Sequence, residues 1–310
     1  MKKVTRFLVD CFGGDNPPAI LRGVSMFKNN YPDAQVILVG NREKIFVICH
    51  ENEIRLRNVE IINCEDHITG EDKPTEVLKA ERNLSMTVGL NALVEKKADV
   101  FVSSGNSGAL LVGTSLIVKK MPNVRRIAFA TVIPKFKGQF LFLDSGANSD
   151  CQADMLEQFA EMSFEYAQKT MQISNPKLGL LNIGTESHKG DLLRKQAFNL
   201  LESNREINFI GNVEPNSVFF NDCDILISDG FCGNIFLKTI EGMVKIYMKL
   251  MQNDEKLIDF LETQDHVYLN PKKFAEESYS ILLGARLPVI KLHSSVDSNG
   301  VFNFLRSYRI

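Results

Sequence analysis

Short apolar runs alternate along this chain with segments whose apolar residues recur every three or four positions. Phe7-Leu8-Val9 and the runs over 35–40 and 59–62 have strand length, while Ile20, Val24 and Phe27 give one face of a helix between the first two. Pro18 suits that helix's first turn, and Asn41 suits the cap of the next one. The alternation continues. Strands are expected at 100–102, 127–133, 140–143, 178–183, 207–210, 225–228 and 289–292, with helices after Ser85, after Asp150, after Gly190 and near Ile235. Runs without polar alternation fit strands buried on both faces, and strand–helix repetition predicts a mostly parallel sheet with crossover helices. The charged, aperiodic stretch 64–83 reads as a long loop with some helix.

The same junction recurs: an apolar strand ends, glycine appears with Asn, Asp or Ser, and a helix follows. It occurs at 103–108, 144–148, 184–190, 211–214 and 229–234. In an open parallel sheet such junctions lie on one edge, where ligands bind. The segment Leu178-Gly179-Leu180-Leu181-Asn182-Ile183-Gly184-Thr185-Glu186-Ser187-His188-Lys189-Gly190 is the richest of them. A helix opening after that loop points unpaired N–H groups and a partial positive charge outward, and Lys189 adds a full charge. Two readings fit: an anion site, most simply for phosphate, or an ordinary turn with a solvated lysine. Backbone needs account for the glycines of all these loops; they account less well for Lys189, Asp229, Asn106, Asn148 and Asn234.

With 310 residues the chain suffices for one large α/β domain or two smaller ones. A net charge of −2 argues against a nucleic-acid binder. The six cysteines form no C-x-x-C pair and no zinc-type cluster, which fits free thiols in the cytoplasm and no metal. The apolar run at the N-terminus is cut by Asp10, and the stretch 109–118 is about half a membrane span, so neither a signal peptide nor a membrane-crossing helix is expected. The helix from Ile235 is apolar around most of its surface, which suits a core or dimer contact, or a membrane surface aided by its lysines. Between Asp99 and Asp144 lie Lys119, Lys120, Arg125, Arg126, Lys135 and Lys137 with no acidic residue, either a solvated face or a landing patch for an acidic partner.

Taken in order, these loops resemble the phosphate acyltransferase family (acyl–acyl-carrier-protein:phosphate acyltransferases). The pieces that carry the likeness are Gly13-Gly14-Asp15, Ser104-Gly105-Asn106-Ser107-Gly108-Ala109 and Leu143-Asp144-Ser145-Gly146-Ala147-Asn148. It continues through Gly179 to Glu186 with Lys189-Gly190, through Asn208 to Glu214, and through Asp229-Gly230-Phe231 with Gly233-Asn234. The resemblance covers most of the chain. It implies a Rossmann-like three-layer α/β/α fold with a mostly parallel sheet, like that of phosphotransacetylases and isopropylmalate dehydrogenase. It also implies one domain over 1–310 with a protruding helical hairpin over 240–275 for dimer or membrane contact.

The implied reaction moves a fatty acyl group from acyl carrier protein to inorganic phosphate, without a cofactor. The acyl phosphate then passes to a membrane glycerol-3-phosphate acyltransferase for phospholipid synthesis. A cytoplasmic homodimer with peripheral contact at the inner membrane face is expected. Because phosphate is itself the nucleophile, no serine or cysteine triad is needed. Lys189 is assigned to phosphate neutralisation. Asn106, Asn148 and Asn234 are assigned to orienting phosphate or the thioester carbonyl, and Asp229 and His188 to proton handling. Gly14, Asp15, Ser104, Ser107, Gly108, Asp144, Gly146, Gly184, Thr185, Glu186, Asn212, Gly230, Gly233 and His293 are expected to line the substrate site. Cys232 is read as a passive small apolar side chain.

The chain departs from the family pattern near its C-terminus. Glu277-Ser278-Tyr279-Ser280-Ile281 stands where a Tyr-Gly-Gly-Ala-Pro-like run is usual, and His293-Ser294-Ser295 replaces His-Gly-x-Ser. The basic run before Ser85-Met86 is thinned to Lys79 and Arg82. Two alternatives follow: a phosphotransacetylase-like enzyme using acyl-coenzyme A, and a catalytically reduced relative that only binds carrier protein or membrane.

Overall fold

The computed structural model describes residues 5–251 and 278–308. The fold groups into two compact units, one from the chain up to Pro122 plus Tyr279 onward, the other from Asn123–Ser278.

In the first unit the strands are β1 (Arg6–Asp10), β2 (Gln35–Gly40), β3 (Glu60–Asn63), β4 (Val100–Ser103), β10 (Tyr279–Leu283) and β11 (Val289–Leu292). Their order is β3-β2-β1-β4-β11-β10. All neighbours run parallel except β10 against β11. β1 and β4 are buried, as apolar runs without alternation require.

Helix α1 (Pro17–Asn30) has Pro18 in its first turn as expected and Pro17 ahead of it, with the Asn16 side chain accepting the Ala19 N–H at 3.2 Å. Its Phe27 ring meets Phe7 edge-on at 5.7 Å. Two large apolar rings fully withdrawn from water contribute about 3–6 kcal/mol together. Asn41 caps α2 (Arg42–Glu51) as expected. Ser85, however, does not cap α3 (Ser85–Val94). It is the helix's first residue, Leu84 occupies the cap position, and no side chain bonds there. The segment 64–83 holds two short 3₁₀ turns, Pro74–Leu78 and Ala80–Arg82, and α4 (Ser107–Gly113) continues into a π-helical turn, Thr114–Val118.

In the second unit the strands are β5 (Ala128–Pro134), β6 (Gln139–Leu143), β7 (Lys177–Leu181), β8 (Asn208–Val213) and β9 (Ile225–Ile227), ordered β5-β6-β9-β7-β8. β6, β9, β7 and β8 are parallel, so their C-terminal ends share one edge. The helices are α5 (Ala153–Lys169), α6 (Leu192–Ser203) and α7 (Gly230–Met251), and Ser298–Ser307 forms α8 in the first unit. Phe140, Phe142, Val218 and Leu226 form a core on which Phe236, Leu237, Ile240 and Val244 of α7 pack.

Three details differ from the sequence reading. β8 runs through Gly211 and Asn212 to Val213, with a bulge where the register against β7 shifts and Gly211 at φ +94°. Asn212 is therefore a strand residue. Helix α7 begins at Gly230, five residues before Ile235, for reasons given below. Lys135 leaves the expected basic patch: it is buried, with Nζ donating to the Cys223 carbonyl at 2.6 Å and the Asn221 carbonyl at 3.1 Å. The expected hairpin over 240–275 lies outside the described residues beyond Met251. No described helix is long and apolar enough to cross a membrane.

Candidate functional site

In the first unit the loops after β1, β4 and β11 lie at the same end of parallel strands. The buried Asp10 carboxylate ties two of them together. Its Oδ2 accepts the Ser103 hydroxyl at 2.8 Å, its Oδ1 accepts the Phe12 N–H at 3.3 Å, and Ser103 Oγ accepts the Gly105 N–H at 3.1 Å. Burial pushes the Asp10 pKa up, against these donors. Gly13 and Gly14 are glycines because of close approach: a Cβ on Gly13 would stand 2.5 Å from Asp10 Oδ2, and one on Gly14 2.2 Å from Ser104 Oγ. The Asp15 N–H donates to the Ser294 carbonyl at 3.0 Å, leaving its side chain exposed. The altered His293-Ser294-Ser295 segment thus touches the Gly13-Gly14 loop directly. His293 Nδ1 accepts the Ser295 N–H at 3.3 Å.

Asn106 caps α4. Its Oδ1 accepts the Ala109 N–H at 3.1 Å, and its Nδ2 donates to the Thr69 and Asp72 carbonyls at 3.4 Å each. Ser107 is exposed, and Gly108 lies beneath Pro74, which a Cβ would meet at 2.8 Å. The long charged segment therefore roofs this loop. Arg82 fastens it, pairing with Asp66 at 2.7 Å and with Asp72 and Glu76 at 3.2 Å each.

In the second unit the loop after β6 is built around Asp144. This fully buried carboxylate accepts the N–H groups of Phe129, Gly146, Ala147 and Asn148 and the Asn148 side-chain amide, five donors at 2.7–3.1 Å. The Asn148 amide also donates to the Ile127 carbonyl at 2.9 Å. Burial raises the Asp144 pKa while its donors work in the opposite direction.

The loop then lies against the first turn of α7. The Gly230 N–H donates to the Asn148 carbonyl at 2.7 Å, and a Cβ on Gly233 would come within 1.9 Å of the Asp144 carbonyl. Glycines three residues apart on one helix face let the two backbones touch. Asp229 starts the helix: its Oδ1 accepts the N–H groups of Phe231 and Cys232 at 3.0 Å each. That cap, together with the fit of Gly230 and Gly233, explains the early start of α7.

The loop after β7 is tied down by two asparagines. Asn182 Nδ2 donates to the Lys189 carbonyl at 3.2 Å, and Asn212 Nδ2 donates to the Glu186 carbonyl at 2.8 Å. Gly190 has φ +89°, a conformation that favours glycine. Asp191 caps α6 by accepting the Arg194 N–H at 2.9 Å. Thr185, Glu186 and His188 are exposed, and Lys189 Nζ stands 4.0 Å from Glu186 Oε1.

The predicted site residues of this unit thus sort by what their polar atoms already do. Asp144, Asn148, Asp229 and Asn212 build the loops; Asn106 does the same in the first unit. Lys189, Asn234, Thr185 and His188 present exposed or half-buried groups with no hydrogen bond among the described residues. Asn234 sits beside Gly146, whose Cβ would be 3.4 Å from Asn234 Oδ1.

One residue escaped the sequence reading. Arg194, nearly buried, pairs with Asp191 at 2.8 Å and with Asp229 through Nη2. The spacing Asp191-x-x-Arg194 was its available signal. Burial alone would lower its pKa; the two carboxylates more than reverse that, so it is raised. Burial likewise raises the Cys232 pKa, holding a neutral thiol and favouring the passive reading. A groove of 630 Å³ between α5 and α6 includes none of the predicted site residues. Among the described residues no group of three His, Cys, Asp or Glu side chains is placed to hold a metal ion.

A family model described as "Fatty acid synthesis protein" matches residues 5–308. A phosphate acyltransferase from Caldicellulosiruptor bescii is 37% identical over 307 residues, covering 96% of this chain and 92% of the relative. One from Ligilactobacillus salivarius is 36% identical, with 97% and 92% covered. Among solved structures, a phosphotransacetylase from Streptococcus pyogenes superposes with a TM-score of 0.65 at 16% identity, covering 98% of this chain and 92% of the other. A 4-hydroxythreonine-4-phosphate dehydrogenase from Klebsiella pneumoniae gives 0.60 at 11% identity, with 98% and 96% covered. The last two share the α/β fold expected from the strand–helix alternation. The chain belongs to the fatty acid synthesis protein family and is an enzyme of the phosphate acyltransferase kind.

Proposed function

We propose that the enzyme transfers a fatty acyl group from acyl carrier protein to inorganic phosphate, and that Lys189 and Asn234 are the acting side chains. A phosphate oxygen attacks the thioester carbonyl carbon, forming the new C–O bond as the carbonyl electrons move to oxygen. Collapse breaks the C–S bond, and the thiolate leaves and takes up a proton. The products are acyl phosphate and the free carrier thiol.

Lys189 neutralises phosphate, and the Asn234 amide donates to the thioester oxygen as it gains charge. A donor aimed at a developing oxyanion is worth about 3–4 kcal/mol. His188 or water supplies the proton, because Asp229 is occupied by the α7 cap and by Arg194. The observation that carries this reading is that division of labour: the neighbouring Asp and Asn side chains are consumed in building the loops, while Lys189 and Asn234 are not. The family's description and its relatives' names support the fatty acyl and phosphate halves of the reaction. The exposed Ile235, Met243, Ile246 and Leu250 on α7 support a homodimer or peripheral membrane contact, from which acyl phosphate would pass to glycerol-3-phosphate acylation.

The test is acyl phosphate formation from acyl carrier protein thioester and phosphate. Lys189→Ala and Asn234→Ala are each expected to lower turnover by about 100-fold or more. Wild-type turnover in both variants would sink the assignment. Equal turnover with short acyl-coenzyme A would move the donor to the phosphotransacetylase-like alternative.

A further inference from the structure

One buried guanidinium joins the caps of two helices. Arg194 Nη1 pairs with Asp191, which caps α6, and Nη2 pairs with Asp229, which caps α7. Each cap adjoins one proposed acting residue. Lys189 lies two residues before Asp191, in a loop that ends at Gly190, where a Cβ would meet Arg194 Cβ at 2.8 Å. Asn234 lies five residues after Asp229, in the second turn of the helix that Asp229 starts.

We propose that Arg194 is a positioning residue for acyl transfer, setting Lys189 and Asn234 relative to each other by bridging the two caps. This rests on the reading of Lys189 and Asn234 given above. The guanidinium is suited to the task because its two terminal nitrogens point to different partners in a fixed plane; a lysine ammonium offers its donors from a single nitrogen and lacks that fixed two-point spacing. The geometry matters because a displacement of about 1 Å between reacting groups costs up to about 100-fold in rate.

Removing a buried partner of an ion pair also threatens folding, so the deciding variant is Asp191→Asn. Asparagine keeps an oxygen to cap α6 and leaves the Arg194–Asp229 pair intact, but it gives up the charged link to Nη1. Kinetics are measured on the full chain with acyl carrier protein thioester and phosphate. Asp191→Asn is expected to raise the phosphate KM or lower kcat by about threefold to tenfold at a nearly unchanged melting temperature. Arg194→Leu is expected to do more, and Arg194→Lys to restore little of the loss. In a Lys189→Ala background the Asp191→Asn effect should shrink toward nothing, because the bridge acts through that lysine.

Wild-type kcat and KM in Asp191→Asn, with Arg194→Lys also normal per folded molecule, would overturn the proposal. So would an Asp191→Asn effect of full size in the Lys189→Ala background. If Lys189→Ala and Asn234→Ala are themselves both normal, the underlying functional reading fails instead.

Discussion

Asp10 and Asp144 occupy like places, each at the end of a buried parallel strand and ahead of a glycine-bearing loop, yet they hold those loops by different means. Asp10 takes one hydroxyl and one weak N–H, and its loops are supported further by the charged segment that Arg82 fastens over the β4–α4 loop. Asp144 takes five donors, four of them from the loop it holds. A strand-end aspartate is thus not one kind of residue. Its worth depends on how many donors are stranded when its charge goes.

The same isosteric change should separate the two. Asp144→Asn turns an amide NH₂ toward N–H donors whichever way the side chain is flipped, leaving buried groups unpaired. A loss of about 2–4 kcal/mol in denaturant unfolding is expected. A loss below 1 kcal/mol would show that the loop does not depend on this carboxylate.

Asp10→Asn should change stability by less than about 1 kcal/mol at neutral pH, because Ser103 can accept from the new amide as readily as donate to the old carboxylate. Its signature is in the pH dependence. Burial raises the Asp10 pKa, so the unfolded chain gives up this proton first, near 3.8. Wild-type stability then declines as pH rises from there through the folded-state titration, and Asp10→Asn lacks that decline. Parallel pH profiles would contradict it.

The smallest effect belongs to Arg82→Ala. The Thr69 backbone and hydroxyl, with Arg82 behind them, hold the Asp72 carboxyl down to about 2 from 3.8. Arg82 is the main cause of the lowered Asp66 pKa. These depressed groups contribute stability that is full above their unfolded pKa and fades as pH falls through the folded values. Arg82→Ala should therefore flatten the acid limb of the stability curve between about pH 4 and 2, with little change near neutrality. An unchanged acid limb would leave Arg82 without a fastening role.

Much of this was readable from the residues. Strand ends followed by Gly with Asn, Asp or Ser marked most of the strand-to-helix junctions, because continuous apolar runs must be buried and their exits must turn. Asn41 capped as read, since the signal is local. What the sequence left out was which polar side chains spend themselves on the loops and which stay available. Asp144 and Asn148 look like ligand residues until their partners are seen, and those include Phe129 and Ile127, far upstream in the chain. Arg194 carries no such mark in the sequence, because Asp229 meets it only in three dimensions. Gly211 reads as a break that puts Asn212 in a loop, whereas a bulge absorbs it within the strand.

That bulge has a consequence for how the molecule behaves in company. Among the described residues β8 ends the second unit's row of strands, and its outward backbone groups are a template on which another extended chain could stack. The extra residue at Gly211 twists that border and spoils its regular spacing, so a passing segment finds no straight ladder to join. Replacing Gly211 so as to straighten β8 would trade a local irregularity for a surface prone to self-association.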